Sequence, residues 1–135
     1  VSEIFVDSNL FLRFFTTDDD GQHAKAACLF EMAASGDAKL VTGPPVLFEI
    51  AWTLRAAYSQ TKETTLDVLS RIHAMPGLRL TDSGMVASAI GLARASGTEF
   101  ADAYIAASAI AEEARCVATF NARHFARLGV GMLEW

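Results

Sequence analysis

Three carboxylates in this chain stand among apolar neighbours. Asp7 lies between Ile4-Phe5-Val6 and Leu10-Phe11-Leu12. Glu49 sits inside Val46-Leu47-Phe48-Glu49-Ile50-Ala51-Trp52, and Asp102 inside Phe100-Ala101-Asp102-Ala103-Tyr104-Ile105-Ala106. Such surroundings predict burial, and a buried carboxylate without a partner is costly. Each acid has a local explanation of its own. Asp7 can cap a helix starting at Ser8 or Asn9, Glu49 can pair with Arg13 or Arg55, and Asp102 can cap a helix beginning near Ala103. Taken together, the three call for a shared compensation. Clustered carboxylates repel, and a hard divalent cation with oxygen ligands removes that repulsion. Thr119 and Asn121 add a hydroxyl and an amide oxygen, although Asn121 also suits the cap of a helix over 122–125.

The elements that must position these groups follow from periodicity and breakers. Short apolar strands are predicted at 3–6, 39–42 and 78–80, a fourth at 116–120 and a fifth at 131–133. Amphipathic helices fill the gaps: one carrying Leu10, Phe11, Phe14 and Phe15, one over 21–34, one over 45–58 with proline in its first turn, and one over 62–73 capped by Thr61. Two more run from Asp82 to about Ser96 and over 101–113. Asp82 reads as the cap of the first of these, and one of Asp18, Asp19 and Asp20 as the cap of the helix after them. Strands alternating with helices give an α/β layer fold on a mainly parallel sheet of about five strands. Ligands of such sheets bind beyond the carboxyl ends of the strands, where Asp7 and Asn121 fall.

Composition sets the bounds. The 135 residues amount to one domain, 1–135, with enough chain for a real core. A hydrophobic fraction of 52% excludes a disordered chain. The formal charge of −5 does not suit a protein that coats nucleic acid nonspecifically, but a bound metal ion can supply positive charge locally. Cys28 and Cys116 lie far apart in apolar runs and read as buried free thiols of a reducing compartment. No apolar run approaches a membrane span and no signal-peptide pattern opens the chain, so the expected location is cytoplasmic. The chain opens on Val1, so an initiator methionine is expected to have been removed. His23, His73 and His124 form no metal-ligand pair by spacing. P-loop, dinucleotide-binding and serine-hydrolase motifs are missing.

The ordered set resembles the PIN-domain ribonucleases, and among them the VapC toxins of toxin–antitoxin pairs. Phe5-Val-Asp7-Ser-Asn9-Leu is similar to the family's opening strand and first acid. Leu47-Phe-Glu49-Ile-Ala-Trp52-Thr-Leu54 is similar to the helix with the second. Glu99-Phe-Ala-Asp102-Ala-Tyr-Ile-Ala-Ala107 is similar to the third acid and its helix, and Thr119-Phe-Asn121-Ala-Arg-His-Phe125 to the fourth element. The resemblance implies a three-layer α/β/α fold and RNA phosphodiester hydrolysis with one or two Mg²⁺ or Mn²⁺ ions. Asp7, Glu49 and Asp102 would be ligands and Asn9 would steer Asp7. Thr119 and Asn121 would serve a second metal or its waters. It also implies a homodimer and a VapB-type antitoxin. The family commonly has Asp where Asn121 stands. Glu99, three residues before Asp102, either restores that charge or merely suits a helix N-terminus. Arg13, Arg55, Arg123 and Arg127 are candidate phosphate contacts, and His124 is near enough to Asn121 to touch substrate.

Two other readings stay open at this point. Through Asn121, the same fold could serve as a catalytically weakened partner-binding module. An aspartyl-phosphate phosphatase or a receiver domain also places an acid after the first strand, but wants a second acid near it, where Asn9 stands, and a lysine at a strand end.

Overall fold

The computed structural model describes residues 2–135. Three parallel strands, β1 (Ile4–Phe5), β2 (Leu40–Thr42) and β3 (Leu78–Leu80), lie side by side in chain order. Their register aligns Phe5 with Val41 and Val41 with Arg79. Helices flank the sheet: α1 (Ser8–Phe15), α2 (Asp20–Ala34), α3 (Pro44–Ala56), α4 (Lys62–His73), α5 (Ser83–Ser96), α6 (Phe100–Ala111) and the short α7 (Ala122–Ala126). Among the described residues no helix is long and apolar enough to cross a membrane.

The fourth and fifth strands are not formed as strands. Val117 and Met132 make one isolated parallel bridge, held by Val117 N–H to the Gly131 carbonyl at 2.8 Å and Leu133 N–H to the Val117 carbonyl at 2.9 Å. Gly129, with φ +71°, and Gly131 bring no side chain to pack and weaken the second run as a strand. The sheet therefore has three strands, not five.

The helices form where their apolar positions recur every three or four residues. α3 buries Val46, Leu47, Ile50, Ala51 and Leu54, and α4 buries Leu66, Leu69 and Ile72. Thr61 caps α4 through the Thr64 N–H at 3.0 Å, and Asp19 caps α2 through the Gln22 N–H at 2.9 Å. Asp82 occupies the cap position of α5 with a left-handed backbone, φ +52°; its carbonyl accepts from the Val86 N–H at 3.0 Å, but its side chain caps no N–H of the helix. Phe11 stacks on Phe30 at 5.4 Å, which fastens α1 to α2.

Two close approaches fix the layers. Gly77, with φ +79°, opens β3 in front of the Ala33 carbonyl, where any Cβ would collide. At Gly43, before α3, a Cβ would collide with the Thr81 hydroxyl. The carboxyl ends of β2 and β3 thus lie together. The Thr42 hydroxyl, fully buried, donates to the Val6 carbonyl at 2.9 Å and draws the end of β1 to the same edge. Asp7 follows directly. Cys28 proves exposed and Cys116 half-buried, against the expected burial of both. Cys28 lies mid-way along α2 on its solvent face, and Cys116 stands just before the Val117 bridge.

Candidate active site

Asp7 is the N-cap of α1. Its Oδ1 accepts from the Ser8 N–H at 2.8 Å, and the Ser8 hydroxyl lies 3.5 Å from the same oxygen. Ser8 is buried, and its hydroxyl donates to Glu49 Oε1 at 2.6 Å. Glu49 thus comes to Asp7 across 41 residues of chain through one serine. It lies in the second turn of α3 and pairs with neither Arg13 nor Arg55. Both acids are exposed, which overturns the burial expected of them. The carboxylates face water beside buried Val6, Leu47 and Ile50, while Ile4, Phe5 and Trp52 are exposed like the acids themselves.

Asp102 lies in the first turn of α6, where its charge suits the helix dipole. It is not the cap, because the helix begins two residues before it. Its side chain is 21% exposed, and the His124 Nδ1–H donates to Oδ2 at 3.1 Å. Asn121 precedes α7, with its N–H donating to the Thr119 hydroxyl at 2.9 Å. Its side chain makes no cap bond to α7, contrary to the local reading. Asp102, Asn121 and His124 share a cavity of about 500 Å³ with Phe48, Trp52 and Arg55. Asn9 is exposed and donates no hydrogen bond to Asp7 among the described residues.

The two groups of acids are joined through α3. Phe48, next to Glu49, packs on Phe100 and Tyr104 at ring distances of 5.4 and 4.9 Å, and those two residues flank Asp102 on α6. Burial pushes the Tyr104 phenol above its usual value, and the charge of Asp82 adds to the effect. Glu99 does not stand free to replace the missing acid at position 121. Arg55 clamps it, with Nη2 2.8 Å and Nε 3.0 Å from Oε1, and these bonds raise the guanidinium above its usual value. Arg13 is engaged by Asp18, Gln22 and the Tyr58 hydroxyl. Of the candidate phosphate contacts, Arg123 and Arg127 remain without an ion pair among the described residues, and both line a second cavity with Asp102 and His124.

A common feature emerges. In Asp7, Glu49 and Asp102 alike, the chain's hydrogen bonds hold one carboxylate oxygen, and the other makes no hydrogen bond among the described residues. The donor set is hard oxygen, of the kind Mg²⁺ and Mn²⁺ take. Among the described residues no three His, Cys, Asp or Glu side chains already cage an ion. Mg²⁺ does not require such a cage. It keeps several waters and is held by one or two carboxylates together with substrate phosphates, so the residues present fit the ion in chemistry.

Sequence spacing does not reveal the links at Ser8 and His124. Ser8 reads as one more helix-start residue, and His124 as a surface residue of a short helix. Each becomes visible only when distant segments meet. No curated protein matches the chain. A family model for the PIN domain matches residues 4–131. PIN domains are a family of nucleases that typically use divalent metals. With the match spanning nearly the whole chain, over an α/β fold on a parallel sheet, this protein belongs to the PIN-domain family.

Proposed function

We propose that this chain is a Mg²⁺- or Mn²⁺-dependent endoribonuclease and the VapC-type toxin of a toxin–antitoxin pair. The observation that carries the reading is the shared state of the three acids: each is oriented through one oxygen and offers the other. Asp7, Glu49 and Asp102 would hold the ion, with Thr119 and Asn121 serving its waters or a second ion. When bound, the ion supplies an acidified water and neutralises charge on the phosphate during in-line displacement.

The remaining work falls to this chain's own side chains. Ser8 fixes the spacing of Asp7 and Glu49, so that neither carboxylate swings away between turnovers. His124 holds Asp102 Oδ2 and turns Oδ1 outward. RNA is the substrate class, a homodimer the expected assembly and a VapB-type antitoxin the partner. The exposed Ile105 and Ile110 on α6 are side chains that a protein partner would cover.

The test is hydrolysis of end-labelled single-stranded RNA. With Mg²⁺ or Mn²⁺ the chain should cut. Chelator should abolish cutting, and Asp7→Ala should lower it by at least about 100-fold. Cleavage that survives both changes would overturn the mechanism. Absence of cleavage across several RNAs would favour the partner-binding reading, for which Asn121 is the motive.

A further inference from the structure

We propose that the cavity beside Asp102 receives one unpaired RNA base stacked on Trp52, and that the adjoining phosphates run onto Arg123 and Arg127. The proposal rests on the nuclease reading and adds the route of the strand.

Trp52 is 70% exposed and stacks on no other ring among the described residues. It lies three residues after Glu49 on the exposed face of α3, so the ring stands one turn from the acid. The fold gains little from a large apolar side chain held there. The ring lines the 500 Å³ cavity together with Phe48, Phe100, Asp102, Asn121 and His124. That volume falls within the roughly 300–1,000 Å³ of clefts that take small organic ligands.

The second cavity, about 280 Å³, is lined by Lys62, Arg123 and Arg127 together with Glu99, Asp102 and His124. The two cavities share Glu99, Asp102 and His124. A cavity lined by aromatic side chains and one lined by cationic side chains therefore adjoin at the acid. A nucleotide has the same division, a flat π-face and an anionic phosphate a few ångströms apart.

Charge sharpens the argument. A chain of net charge −5 repels a polyanion as a whole, so attraction must be local. Arg13, Arg55, Arg79 and Arg94 are each matched to an acid. Arg71, Arg115, Arg123 and Arg127 are not, among the described residues, and of these Arg123 and Arg127 lie beside the site. A base is available to stack on Trp52 only if it is unpaired, so the preference is for single-stranded RNA.

The test uses the intact chain in chelator, so that binding is read without cleavage. Trp52→Ala should weaken binding of labelled single-stranded RNA roughly tenfold or more, with most of it restored in Trp52→Phe. With Trp135→Phe, the fluorescence of Trp52 should be quenched by single-stranded RNA but not by a duplex of the same sequence. In Trp52→Phe, which leaves Trp135 as reporter on the Thr119 carbonyl, quenching should be clearly weaker. Arg123→Ala with Arg127→Ala should reduce the slope of log affinity against log salt by about 1.4.

Wild-type affinity in Trp52→Ala, or quenching of Trp135 in place of Trp52, would overturn the route while metal-dependent cleavage left the nuclease reading standing. Sedimentation showing that Trp52→Ala dissociates a dimer, with RNA affinity unchanged, would assign the face to a second copy of the chain and overturn it equally. A wild-type chain that neither binds nor cuts RNA would remove both.

Discussion

Ser8 is the residue on which the geometry of the first two acids turns. Its hydroxyl is buried, bonds Glu49 and lies beside Asp7. Ser8→Ala removes that link and leaves Glu49 to water. Because Glu49 is exposed, it can be resolvated, and the stability loss should be only about 1 kcal/mol in denaturant unfolding. Metal-dependent cleavage should fall much further, by about tenfold or more, because orientation is lost while the ligands remain. A variant that lost stability but kept full activity would show that Ser8 is merely structural. At this scale the sequence was partly legible. The three acids stood out by their apolar neighbours, but the burial inferred from those neighbours was wrong for Asp7 and Glu49. Adjacent helix positions differ by about 100°, and Asp7 precedes its helix, so a buried neighbour does not bury the acid. The neighbours therefore report where the helix packs, and the carboxylate's own exposure has to be seen.

At the scale of elements, glycine and ion-pair contacts set how the layers meet. Gly77→Ala would force a Cβ into the Ala33 carbonyl at a positive φ, so it should cost about 1–3 kcal/mol, read as a lower denaturation midpoint. The Arg55–Glu99 pair joins the end of α3 to the start of α6. Both side chains are more than a third exposed, so Glu99→Gln should cost no more than about 1 kcal/mol. It should also leave Mn²⁺ affinity unchanged in calorimetry, because Arg55 already occupies the carboxylate. A clear loss of affinity would restore Glu99 as a ligand. Most elements were readable from periodicity and caps. Thr61 and the Asp18–Asp20 run marked α4 and α2 correctly because their signals are local. The last two strands failed because a strand exists only through its partner, and Val117 and Met132 find each other at a single bridge. Asp82 failed as a side-chain cap, and its backbone is left-handed.

For the molecule as a whole, the chain brings two groups of acids to neighbouring surfaces and joins them through the packing of α3 on α6. The fold class and the order of acids were legible because they are spread over the whole chain. The tethers at Ser8 and His124, and the meeting of an aromatic and a cationic cavity, were not, because they depend on contacts between segments 22 to 41 residues apart. The central claim is that separated carboxylates act together on one kind of ion. Calorimetric titration of Mn²⁺ into the wild-type chain and into Asp7→Asn, Glu49→Gln and Asp102→Asn tests it most directly. The account predicts binding by the wild type and a loss of about tenfold or more in each folded variant. Equal affinity in all four proteins would contradict it.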